Sequence, residues 1–246
     1  AEEGRLGGDQ ASAATVASRA DGYVQAVDYA TLEQLGDRFD LVLRLRCRAG
    51  DYLMAGGPLL DAAPAERCPA KLRYLVNEAF IIGGHRTAEQ DIEYAIRQIA
   101  EVAVRALSPG INDPFTAINC IDALGSVICR VARSGLPAPC RSNAAGVVRL
   151  IVPVSTFDGV TDMALNQIRQ YGRDSVAVTI RLLEVIGRCA DGIKEPGYRK
   201  TLLRHAEMVY RQSQNPEAIP EALDRGDVKK RWDIVAAALG GDPDTR

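Results

Sequence analysis

The stretch RALSPGINDPFTA, residues 105–117, sets Arg105, Ser108, Asn112 and Asp113 into one short corner of the chain. A second polar group, GGHRTAEQD at 83–91, carries His85, Arg86, Thr87, Gln90 and Asp91. A hydroxyl, carboxylates and an imidazole are the parts of a hydrolase. Ser108, Asp113 or a water held by Asp91 would attack an ester or phosphoester, and Arg86 and Arg105 would stabilise the developing charge. The chain has only two histidines, His85 and His205, so an imidazole base must be one of them. His85 lies in a glycine-flanked loop beside the candidate set, where it is expected to face water, and His205, in LLRHAEMVY, is expected on a helix surface. Ser108 lacks the usual surroundings of a serine nucleophile. Neither Gly-x-Ser-x-Gly nor Ser-x-x-Lys surrounds it, and Pro109 offers no backbone N–H to an oxyanion.

Asp91 and Asp113 also have simple ion-pair partners in Arg86 and Arg105, which competes with acid–base work. The same two arginines suit an anion or a carboxylate, which guanidinium groups hold through paired hydrogen bonds. The GGHR and SPGIND backbones would add amides to such a site. Asp91, Glu101, Asn112 and Asp113 offer oxygens to a hard cation, but no compact loop has the spacing, so no metal is expected. AGGP (55–58) and IGG (82–84) form neither a dinucleotide fingerprint nor a P-loop, and no cofactor is implied.

A helix predicted over 87–107 positions both polar groups. Thr87 is its expected N-cap, with Gln90 reaching back from the third position as a capping box. Ile92, Ala95, Ile96, Ile99, Ala103, Ala106 and Leu107 recur at three and four and form the core stripe. Thr87, Gln90 or Asp91, Tyr94, Gln98, Glu101, Arg105 and Ser108 form a second stripe that runs into the corner. There Pro109 stops the helix, Gly110 is expected to take the left-handed conformation, Asp113 caps the next helix and Pro114 is its first residue. Those tasks leave Arg105, Ser108 and Asn112 unexplained between the apolar flanks IAEVAVRAL and FTAINCIDAL. Buried polar groups must be paired or face a ligand. Two readings stay open: a network that locks the corner, or a pocket.

The rest of the chain constrains what surrounds this corner. Its 246 residues suffice for one large domain, or a main domain with an appendage. The 47% hydrophobic content supports a sizeable core, and a net charge of −2 with arginines scattered among acids argues against nucleic acid. The six cysteines show no Cys-x-x-Cys pair, so buried free thiols are expected, and a single disulfide stays open. No segment reaches ~18 uninterrupted apolar residues, and residues 1–20 lack a signal peptide's apolar core, so the chain reads as soluble.

Residues 1–20 read as a linker with a short helix over 11–20. Alternation in GYVQAVD and FDLVLRLRC makes 21–63 a small β-unit, with turns at RAGDY and AGGP. From 64 to 246 the pattern is mainly helical. Helices are predicted over 66–80, 87–107, 114–133, 159–171, 175–191, 196–213 and 228–239, with a loop over 134–146, a buried strand over 147–154 and a connector over 215–227. The expected fold class is α+β, mostly helical.

RALSPGINDPFTA, together with RTAEQDIEYAIRQIAEVA (86–103), QIRQYG (167–172), GYVQAVD and RAGDYLMAGGPL, resembles the bacterial domain of unknown function 2254 family of predicted membrane proteins. The resemblance runs from about residue 20 to about 190. It implies membrane helices in the parent proteins ahead of a soluble C-terminal region, which this chain is expected to represent, so any link to a membrane runs through segments outside it. It also implies a shared polar pattern of Arg86, Thr87, Gln90, Asp91, Arg105, Ser108, Asn112 and Asp113, and it supplies no reaction. The leading expectation is a ligand-binding or sensory domain with a polar pocket at the elbow for a small anionic or polar molecule. The alternatives are a hydrolase using the same cleft and a homo-oligomerisation module whose elbow is purely structural.

Overall fold

The computed structural model describes residues 12–241, in two compact units. The first unit runs to Tyr94 and takes back Pro137–Val154, and the second comprises Ala95–Leu136 and the chain from Ser155 onward. The expected division at residue 63 therefore moves. The mainly helical part begins inside the helix at 92–106, and the 137–154 segment belongs with the strands.

In the first unit β1 (Ala14–Ala17), β2 (Gly22–Val27), α1 (Tyr29–Arg38), β3 (Val42–Leu45), β4 (Tyr52–Leu53) and β5 (Pro58–Ala63) lead to α2 (Leu72–Glu78) and β6 (Phe80–Gly83). The returning segment adds β7 (Cys140–Ser142) and β8 (Val148–Ile151). One sheet has the order β1-β5-β3-β8-β7, with β3 and β8 parallel and the other pairs antiparallel. The other has the order β4-β2-β6 and is antiparallel throughout. The Leu41, Leu43 and Leu45 alternation is realised: all three are buried, with Leu59, Leu60 and Leu150 beside them, and Arg44 is exposed.

Three local expectations fail here. Residues 14–17 form a strand paired with β5, not a helix, because Ala14, Thr15 and Val16 find ladder partners in Ala62, Asp61 and Leu60. The helix over 66–80 shrinks to a single 3-10 turn at Ala65–Arg67 and α2, and Phe80 onward pairs with β2 instead. Within the β-unit, α1 intervenes, with the Asp28 carboxylate accepting the Thr31 amide and Leu32 and Leu35 turned inward. The linker assigned to residues 1–10 lies outside the described residues.

The second unit is a helical bundle of α3 (Ile92–Ala106, entering from the first unit), α4 (Pro114–Ser134), α5 (Phe157–Tyr171), α6 (Val176–Ala190), α7 (Pro196–Ser213) and α8 (Ala222–Leu239). Its core combines Ile96 and Ala103 of α3, Ile121, Leu124 and Ile128 of α4, Leu165 of α5, Leu183 of α6, Leu202 of α7 and Trp232 of α8. Each such leucine or isoleucine contributes about 1.5–3 kcal/mol by leaving water. Tyr210 stacks on Trp232 at 5.1 Å. Among the described residues α4 alone is long and apolar enough to cross a membrane by length and composition. Its buried positions 117, 121, 124, 128 and 131 recur at three and four, while Asn119, Ser126, Arg130 and Arg133 are exposed. That is the pattern of a helix with one face in a core.

The bundle also corrects the cysteine reading. Cys129 of α4 is bonded to Cys189 of α6, Cys140 is an exposed thiol, and only Cys47 among the four free cysteines is buried.

Candidate functional site

The candidate residues fall into two groups, one in each unit. In the first unit the segment before α3 is pinned to the small sheet. The Gln90 side chain pairs with the backbone of Val27 as a strand would, accepting its N–H at 3.0 Å and donating to its carbonyl at 3.2 Å. The Thr87 hydroxyl donates to the Gln25 carbonyl, and the Gln25 amide donates to the His85 carbonyl at 2.9 Å. The expected capping box is therefore absent, because Thr87 and Gln90 are committed to β2. Asp91 caps α3 instead, accepting the Tyr94 amide at 2.9 Å. Its other oxygen receives Nε and Nη2 of Arg86 at 2.9 and 2.5 Å, and that guanidinium lies 5.2 Å from the Tyr94 ring centre.

This pair sits against the RAGDY turn. Gly50 holds φ +94°, and a Cβ there would fall 2.1 Å from an Asp91 carboxylate oxygen, so only glycine fits. Arg48, two residues earlier, donates to Glu93 at 2.7 Å. The Asp91 side chain is 5% exposed. Arg86, Thr87, Gln90 and Asp91 are thus all engaged in one built-in junction. His85 is exposed, as expected.

In the second unit the elbow is closed by its own backbone. The Ser108 hydroxyl donates to the Arg105 carbonyl at 2.7 Å, and the Asn112 and Asp113 amides donate to the Ser108 and Ala106 carbonyls. Asp113 is the N-cap of α4, as its position before Pro114 implies. It accepts the Phe115 and Thr116 amides at 3.1 Å each and the Thr116 hydroxyl at 2.5 Å. Those Thr116 bonds hold its carboxyl below the usual carboxylate range. The left-handed residue is Asn112, at φ 47°, and not Gly110. Asparagine tolerates that conformation better than any other residue with a Cβ, and this accounts for Asn112 in the motif. The Arg105 side chain is 76% exposed and only 3.8 Å from Glu101, so it does not pair with Asp113 as expected. Three apolar side chains of α3, the elbow and α4 are also exposed: Val102, Ile111 at 62% and Phe115 at 75%.

His205 is a correction. It is fully buried in the bundle, with Nε2 2.9 Å from Asp162 Oδ1 and Nδ1 without a partner among the described residues. Burial first, then the Arg204 cation, pushes its pKa down to about 4, against the pull of Asp162. The signal was in the sequence: Leu202, His205, Ala206 and Val209 share the inward stripe of α7. Among the described residues no three His, Cys, Asp or Glu side chains gather as a metal would require. Among the described residues the bundle holds a cleft of about 390 Å³ beside Cys129 and Cys189, and another of about 400 Å³ lined by Arg173 and Arg211.

The model of the domain of unknown function 2254 family, described as a predicted membrane protein, matches residues 2–188. Uncharacterised proteins of Mycobacterium bovis and Mycobacterium tuberculosis are each 31% identical over 201 residues, 78% of this chain and 38% of theirs. The chain thus spans well under half the length of those relatives. No solved structure matches it.

Proposed function

The chain belongs to the domain of unknown function 2254 family of predicted membrane proteins, and from that premise we propose that it is an extramembrane assembly module whose elbow presents a contact surface to a second copy of the chain. The observation that carries this reading is the pair Phe115 and Ile111, exposed at 75% and 62% on a corner closed by its own hydrogen bonds. A phenylalanine and an isoleucine presented by a closed turn, with little ordering cost, are side chains of the kind that form interface cores. The polar residues of the motif support the same reading, since each has a task in the turn. A hydrolase needs Ser108 or Asp113 free to react, and both are engaged in capping.

Sedimentation of the whole chain tests the proposal. Wild type is expected to self-associate with rising concentration, and Phe115→Asp with Ile111→Asp to stay monomeric with an unchanged circular dichroism spectrum. A wild type that is monomeric up to its solubility limit would overturn it. One observation favours a second reading: Arg105 is exposed and loosely paired, as an anion-binding residue would be. Phosphate or a dicarboxylate would then raise the melting temperature of wild type and leave that of Arg105→Ala unmoved.

A further inference from the structure

The Cys129–Cys189 disulfide ties α4 to α6 across 60 residues of chain, with the two Cα atoms 5.0 Å apart. One turn before Cys129, Gly125 permits this approach. A Cβ at that position would meet Val185 Cγ1 at 2.2 Å. The bond is not sealed in the core, because both cysteines line the open cleft of about 390 Å³, a volume suited to a small ligand. Arg130, Arg133 and Arg188 line it too, against the single carboxylate of Asp122. Arg188 reaches Asp122 and Glu184 only at 3.7 and 3.9 Å, and among the described residues Arg130 and Arg133 form no ion pair. The cleft therefore carries an excess of two positive charges around a disulfide.

We infer that this cleft is a thiol-exchange site for a low-molecular-weight thiol bearing carboxylates, with Cys129–Cys189 as the reacting bond. The guanidinium groups pair with the carboxylates and raise both the local concentration and the thiolate fraction of such a molecule. The half-buried Cys129 is the sulfur within reach, and Cys189 is 2% exposed. The incoming thiolate forms a bond to Cys129 Sγ as the Sγ–Sγ bond breaks, and the electron pair leaves on Cys189. Cys189 takes the proton lost by the thiol and can donate it toward the Gly125 carbonyl oxygen, 3.4 Å away. A second thiol, again as thiolate, attacks the small-molecule sulfur of the mixed disulfide and releases Cys129, which takes that thiol's proton. Two small thiols are oxidised to one disulfide, and the protein disulfide is reduced to two thiols.

The test uses the whole folded chain, its free thiols first blocked with N-ethylmaleimide. Rates of reduction per thiolate are compared for mercaptosuccinate (anionic), mercaptoethanol (neutral) and cysteamine (cationic), with peptide mapping of the new thiols to Cys129 and Cys189. Mercaptosuccinate is expected to outpace cysteamine by about tenfold. Arg130→Gln with Arg133→Gln is expected to erase that preference, so that the three rates converge in the double variant. Rates that follow thiol basicity alone in both proteins, or a disulfide reduced only in denaturant, would overturn the inference. The two arginines are exposed, so circular dichroism of the double variant is expected to match wild type.

Discussion

Acid should weaken the helical bundle through one residue, His205. In the folded chain the Asp162 carboxylate accepts from Nε2, so the neutral ring carries its proton there and leaves Nδ1 a buried acceptor. Protonating Nδ1 would bury a cation whose new N–H has no acceptor, beside Arg204 and with Arg169 also opposing it. The folded pKa is accordingly about 4 against 6.5 for the ordinary side chain. The depression fixes the sign. Above 6.5 the ring is neutral in both states and the stability is fully present. Between 6.5 and 4 the unfolded chain takes a proton that the folded chain refuses, and each pH unit there costs about 1.4 kcal/mol. The loss comes to about 2 kcal/mol at pH 5 and about 3 kcal/mol at pH 4. Asp162 does not blur this window. Burial raises its pKa, but the Arg204 and His205 contacts outweigh burial and hold it below 3.8, so its own contribution is lost only in stronger acid.

Urea denaturation at pH 8, 7, 6 and 5 measures the effect, with His205→Gln as the control because glutamine keeps an N–H donor and cannot titrate. Wild type should lose about 2 kcal/mol more than the variant between pH 8 and pH 5, whatever their difference at pH 8. The chain has two histidines, so the imidazole proton resonance absent from His205→Gln identifies His205. That resonance should keep its neutral position down to about pH 5. Parallel losses in the two proteins, or a midpoint near 6.5 for this resonance, would refute the reasoning.

Two substitutions test the remaining contacts. Arg86→Ala leaves the nearly buried Asp91 carboxylate without its cation, and urea melts should register a loss of about 3 kcal/mol. A loss under about 1 kcal/mol would mean that the pair behaves as a surface one. Gly125→Ala places a methyl 2.2 Å from Val185 Cγ1, so Val185 must turn into its packed surroundings or α4 and α6 must separate. Thermal melts should fall by several degrees and the Cys129–Cys189 bond should be reduced more readily, whereas an unchanged melt would show that the helices yield freely.

Patterns that depend on near neighbours were legible in the sequence. The Leu41-Leu43-Leu45 alternation and the Asp113-Pro114 start of α4 rest on one periodicity or on contacts within a few residues. What failed depended on partners far along the chain. Gln90 looked like the third residue of a capping box, and its amide is engaged by Val27, 63 residues earlier. Phe80 looked like the end of a helix until β2 offered it a ladder. Ala14–Ala17 is too short and plain to announce a strand without β5. His205 differs, because its place on the Leu202–Val209 stripe was readable, and the expectation that an imidazole prefers water overrode it.

Polar residues crowded into one motif invite a catalytic reading, since active sites crowd them as well. What separates the two cases is how much hydrogen-bonding capacity remains once the backbone has been satisfied. At the elbow the Ser108 proton goes to a helix-end carbonyl, the Asp113 oxygens take two amides and a hydroxyl, and Asn112 contributes its φ angle. In the first unit Asp91 divides its oxygens between Arg86 and a helix amide, and Gln90 is matched to both polar atoms of Val27. What remains in water is of another kind: Ile111, Phe115 and the loosely held Arg105. No turn needs a phenylalanine exposed at its helix start, and leaving it there forgoes burial worth about 1.5–3 kcal/mol. On the proposed reading, that burial is gained when the elbow meets a second copy of the chain.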